Sequence, residues 1–162
     1  MKVLTIISAF LIISSLYSQE EKERSIYLEA GGSGGLGSIN YEASILDGLS
    51  SEKVNYTWRA GLSFAPIDKN NGTGIVFPIM VNSLIGASNH RLELGVGQGV
   101  TITTRGSFFI LATALIGYRF DAKNNLLFFR ATYTPLISYL IDFQFQQWGG
   151  VSIGYTFKSK GK

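Results

Sequence analysis

The stretch Gly31-Gly32-Ser33-Gly34-Gly35-Leu36-Gly37-Ser38-Ile39-Asn40-Tyr41-Glu42 decides between two unrelated kinds of protein. Gly32, Gly34 and Gly37 stand at the G-x-G-x-x-G spacing that lets a backbone approach a dinucleotide pyrophosphate. That chemistry needs a helix directly afterwards, because the helix N-terminus aims its free N–H groups and dipole at the phosphate. The residues after Gly37 alternate instead. Ile39, Tyr41, Ala43 and Ile45 are apolar, and Ser38, Asn40, Glu42 and Ser44 between them are not. A period of two is a strand, so the glycines read as a bend between two strands and no cofactor is expected.

The same period recurs along the chain. Val54, Tyr56, Trp58, Ala60, Leu62 and Phe64 alternate with Asn55, Thr57, Arg59, Gly61 and Ser63. Leu92, Leu94, Val96, Val100 and Ile102 oppose Arg91, Glu93, Gly95, Gly97, Gly99, Thr101 and Thr103, with Gln98 alone breaking the apolar row. Phe108 through Phe120 on even numbers, Leu127 through Tyr133 on odd numbers and Val151 through Phe157 on odd numbers form further apolar rows. Turn signals divide this pattern into about eight strands, over 25–31, 36–46, 54–65, 74–85, 90–103, 107–120, 126–136 and 145–157. Tight breaks at 87–89 and 121–125 fall on one side of the sheet, and longer ones at 66–73 and 136–144 on the other.

The ends bound the domain. Met1-Lys2, an apolar run from Val3 to Ile13 and small or polar residues through Ser18 make a secretory signal peptide over 1–18, cleaved near Ser18 or Gln19. The apolar run is about half of the roughly 20 residues a spanning helix needs. Residues 19–24 form a polar, flexible lead-in, 25–157 the strands, and 158–162 a polar tail. At 162 residues the chain holds one domain. It has no cysteine, so packing and hydrogen bonds alone stabilise it after export. The net charge of +3 is small and forms no basic face, which argues against nucleic-acid binding.

Two sheet architectures fit such alternation. In a soluble sandwich or lipocalin-like barrel the apolar row points inward; in a transmembrane barrel it faces lipid and the polar row fills the lumen. Charge placement separates them. Lysines at 22, 53, 69, 123, 158, 160 and 162 all fall in predicted turns or termini, whereas a water-facing strand carries them along its length. The charges within strands are Glu29, Glu42, Arg59, Arg91, Glu93, Arg119 and Arg130, all on the less apolar face and nearly balanced in sign. That is a lumen charge network, since charges away from bulk water need partners and arginine meets carboxylates in a fork. A sheet in lipid must also close, because a free edge would leave backbone groups without partners. The expected fold is therefore all-β: a closed antiparallel up-and-down transmembrane β-barrel of about eight strands, in the size range of OmpA and OmpX. Tyr118, Phe120, Tyr155 and Phe157 suit an aromatic girdle at the inner interface, and Phe64, Phe77, Phe143 and Phe145 one at the outer.

The final strand, from Trp148 through Val151, Ile153 and Tyr155 to Phe157, resembles the C-terminal signal by which outer-membrane proteins are recognised for barrel assembly. It departs from the strict form in that five residues come after Phe157. More broadly, "LEAGGSGGLGSINYE", "FPIMVNSLIGASNHRLELGVG", "IGYRF", "FFRATYTPL" and "WGGVSIGYTF" are similar to a family of small outer-membrane β-barrel proteins of Bacteroidetes-type bacteria. The resemblance implies the fold and an outer-membrane location; it implies no activity and no catalytic residue.

Chemistry is sparse. The single histidine, His90, sits beside the Ser88-Asn89 turn with no nucleophile and acid around it, which favours a rim role over catalysis. Glu42 and Glu93 could act as an acid/base pair, but Arg59, Arg119 and Arg130 are nearer partners for them. No metal-ligand spacing occurs. Asn71-Gly72-Thr73 matches a glycosylation sequon by coincidence. The expected partners are outer-membrane lipid and, during biogenesis, the barrel-assembly machinery, around a monomeric barrel. The leading function is a structural or interaction role with a filled lumen. Alternatives are a narrow channel through space left by glycines 61, 95, 97, 99, 117, 150 and 154, and a lipid-modifying enzyme using His90.

Overall fold

The computed structural model describes residues 22–45, 51, 53–68, 72–122, 126–138 and 143–159. The expected signal peptide lies outside them. Ten strand segments succeed one another: β1 (Lys22–Gly31), β2 (Gly37–Ser44), β3 (Val54–Asp68), β4 (Gly72–Ile85), β5 (His90–Thr103), β6 (Phe108–Asp121), β7 (Leu127–Tyr133), β8 (Leu136–Ser138), β9 (Gln144–Gln146) and β10 (Gly149–Ser159). The helical content of the described residues is one 3-10 turn over Gly32–Gly34, in the stretch whose composition predicts a bend.

Every pairing is antiparallel, and each strand pairs with its neighbour along the wall or, at the closure, β1 with β10. The segments form eight staves. β7 and β8 run end to end along β6, facing Ile116–Asp121 and Leu111–Thr113 respectively, and β9 and β10 run end to end along β8 and β7. The first break has a local cause. Pro135 has no N–H to give to the ladder, so the stave is interrupted there, although the Thr134 N–H still reaches the Trp148 carbonyl at 2.8 Å.

Strand ends differ from the sequence reading by a few residues. β1 begins at Lys22, inside the expected lead-in, and β10 runs to Ser159, into the expected tail, because the two pair from Lys22↔Ser159 to Gly31↔Gly150. β3 and β4 continue past Pro66 through a register shift between Pro66 and Asp68, so the longer break expected at 66–73 is shorter. The 136–144 break holds the short β8–β9 pair.

Side-chain direction obeys the alternation. On β7, Phe128, Arg130 and Thr132 are buried while Leu127, Phe129, Ala131 and Tyr133 are exposed. On β4 the buried row is Gly74, Val76, Pro78, Met80, Asn82 and Leu84, and Ile75, Phe77, Ile79 and Val81 face out. The interior is thus built from Tyr27, Met80, Leu84, Leu115 and Phe128 among many buried polar groups, while Leu28, Phe64 and Val96 are 60%, 60% and 67% exposed. This is the inverse of a soluble core.

Candidate functional site

Strand parity brings seven of the predicted charges into the lumen, and the closure of the sheet brings them into contact. Glu42, from β2, is the centre. One of its oxygens accepts from Arg119 Nη1 at 2.6 Å and the other from Arg130 Nη2 at 2.7 Å. Arg130 Nε lies 2.9 Å from Glu93, and Arg119 Nε donates to Asp121 at 3.0 Å. Arg91 closes the chain at one end, its Nε and Nη2 each 2.6 Å from the same Asp121 oxygen. Arg59 stands at the opposite end, 3.6 Å from Glu29, and donates to the Tyr27 hydroxyl and to Ser33 Oγ, both at 2.9 Å. Ser38 donates to the other Glu29 oxygen at 3.3 Å.

Aromatic faces support the guanidiniums. Arg119 sits 3.8 Å from the centre of the Phe128 ring, Arg130 sits 4.6 Å from that of Tyr27, and the two rings meet edge to face at 5.7 Å. The ring quadrupole attracts a desolvated cation, a contribution of up to about 2 kcal/mol. This matters because register places Arg119 directly beside Arg91 on one side and Arg130 on the other. Like charges opposite one another repel. The carboxylates of Glu42 and Asp121 and the ring faces offset that repulsion.

Six of the seven charges are buried on the interior face and Arg91 is half-buried there, and two further residues join them. Asp121 has the look of a first turn residue, yet it belongs to β6 and completes a balance of four carboxylates (Glu29, Glu42, Glu93, Asp121) with four guanidiniums. Its odd number, continuing the inward row of Leu115, Gly117 and Arg119, is the signal that would find it. Tyr27 is the other, an aromatic residue sharing the parity of Glu29.

Several lumen glycines lie against large neighbours. A Cβ on Gly97 would lie 2.2 Å from the Ile79 carbonyl oxygen and 2.4 Å from Met80 Cγ. One on Gly154 would meet Tyr27 and Phe128, and those on Gly61 and Gly95 would meet Asn40 and Asn82. These four glycines thus make room for large neighbours across the strand. At the Arg59 end the glycine-rich turn folds into the mouth. Gly31, Gly32 and Gly35 take φ of 77°, 74° and 89°, which glycine adopts without strain, and Gly32, Ser33 and Gly34 are buried. Arg59 holds this turn through Ser33, and Trp148 donates its indole N–H to the Gly35 carbonyl at 3.3 Å.

Of the expected assembly-signal residues, Val151, Ile153 and Tyr155 face outward on β10, Phe157 is half-buried, and Trp148 lies in the break before the strand. His90 begins β5 on the exposed surface, where a ring nitrogen meets the Tyr118 hydroxyl and the ring packs 5.1 Å from Phe120. Among the described residues no group of three or more His, Asp or Glu could hold a metal ion.

An oily exterior, a closed antiparallel wall and an ion-paired filling together define the class: a small transmembrane β-barrel. Solved structures of other proteins share the fold. The chain is similar to the N-terminal β-barrel domain of Pseudomonas aeruginosa OprF, with a TM-score of 0.55 and 12% identity over 86% of this chain and 98% of that one. It is also similar to Ail, the attachment invasion locus protein of Yersinia pestis, with a TM-score of 0.48 and 12% identity over 86% and 99%. No protein-family model and no curated protein matches the chain.

Proposed function

We propose that this chain is an integral barrel of a Gram-negative outer membrane, exported through residues 1–18, with a structural or interaction role in the envelope. The observation that carries this reading is the lumen: four carboxylates and four guanidiniums pair across it, and the glycine turn occupies its outer mouth. Interiors of about eight strands are just wide enough for side chains to fill, so such a barrel is a solid post in the membrane. The likeness to the OprF barrel domain supports the fold, and the apolar exterior supports a lipid environment. We further assign Val151, Ile153, Tyr155 and Phe157 as the edge read by the barrel-assembly machinery. No catalytic role is proposed, because His90 is engaged with Tyr118 and the glutamates of the lumen are held by arginine.

The test is fractionation, then electrophysiology. The mature protein should stay in the membrane pellet after carbonate washing and migrate differently on gels before and after boiling. Reconstituted in a planar bilayer it should show no steady conductance, and deletion should leave the lipid A mass spectrum unchanged. Recovery as a soluble monomer without detergent would overturn the membrane reading, and reproducible openings would overturn the sealed lumen.

A further inference from the structure

Gln98 is the amide in an otherwise apolar row. Its side chain faces outward on β5 between Val96 and Val100, with Ile79 of β4 and Ala112 of β6 as lateral partners. The row from Leu92 to Ile102 rises about 25 Å along the membrane normal, at about 3.3 Å per residue and a tilt of about 40°, which matches the apolar band of a membrane barrel. Gln98 is placed about 10 Å inside the outer edge of that band on the same scale. Its side chain makes no hydrogen bond among the described residues. Granted the membrane reading proposed for this barrel, a primary amide lies in hydrocarbon, where neither water nor acyl chains can satisfy it.

We infer that a second copy of this chain covers this site, forming a two-fold dimer through Gln98. A primary amide carries donor and acceptor on one head, so two of them related by a two-fold axis exchange a reciprocal pair of N–H···O=C bonds. All copies insert in the same direction, so the axis lies along the membrane normal and the same patch faces itself. The surface beside Gln98 admits the approach. Ala112 and Ala114, adjacent on β6 to Gln98 and Val96, present a methyl group each. Small residues let two walls close on each other and leave space for both glutamine side chains to lie flat.

The chain has no cysteine, so single labels are clean. The full mature protein, labelled at Ser88→Cys with donor and acceptor dyes, is reconstituted into phosphatidylcholine vesicles, and heat-modifiable migration first confirms insertion. Energy transfer should rise with the protein-to-lipid ratio, weaken at least fivefold in Gln98→Leu and fall likewise in Ala114→Leu. A Gln98→Cys variant should form a disulfide dimer under mild oxidant, while Leu28→Cys, on the opposite wall, should not. Inserted protein with transfer no greater than random crowding, equal transfer in Gln98→Leu, or equal cross-linking through position 28 would overturn the dimer and leave the membrane reading standing. A chain that fails to insert would overturn the reading on which the dimer rests.

Discussion

Arg130 reaches Glu42 with one nitrogen and Glu93 with another, and its removal strands a carboxylate that has no water to turn to. Breaking a buried pair from one side costs on the order of 3–5 kcal/mol. Arg130→Ala should therefore lower the temperature at which the folded gel mobility is lost by many degrees, while Lys53→Ala, on an exposed turn, should leave it unchanged. Removing both partners is different. In Arg130→Met with Glu93→Leu no charge of that pair remains, and Glu42 keeps Arg119. The double variant should regain much of the loss, with a coupling of roughly 1–3 kcal/mol in a double-mutant cycle. Simple additivity would mean that the pair does not act as a unit.

Some glycines face bulk on the neighbouring strand and others do not. Gly97 lies under the Ile79 carbonyl and Met80, whereas the nearest atom to a Cβ on Gly99 is Val76 Cγ1 at an ordinary 3.6 Å. Gly97→Val must push backbone aside, and overpacking of that kind costs about 1–3 kcal/mol. Gly99→Ala should be neutral to within about 0.5 kcal/mol. Thermal unfolding of the two variants side by side checks this, and a pore-like lumen with room at Gly97 would make both neutral. The glycine turn gives the same lesson at the mouth, where a Cβ on Gly32 would lie 2.4 Å from the Glu29 carboxyl carbon.

The whole molecule turns on which side is wet. Val81 is half exposed at the level of Trp58 and Val96, in the middle of the apolar wall. In a bilayer Val81→Arg should destabilise the barrel by about 2–4 kcal/mol, the cost of an arginine at the lipid midplane. On a water-facing surface the same change would be worth almost nothing. Reversible unfolding in vesicles distinguishes the two, and a neutral Val81→Arg would remove the case for lipid around this wall.

Much of this molecule is legible in its sequence. In an extended chain successive side chains point to opposite faces whatever the strand pairs with, so Glu29, Glu42, Arg59, Arg91, Glu93, Arg119 and Arg130 are assigned to the lumen, and Leu28, Trp58 and Val96 to the outside, by counting alone. Which groups meet is a different question. Glu42 lies 77 positions from Arg119 and 88 from Arg130, distances along the chain that no local pattern spans. Those partnerships depend on how the sheet tilts and closes, as does the inward fold of Gly32–Gly34. Local periodicity sets direction, because it resides in the backbone of one strand; pairing across a lumen needs all eight staves in place at once.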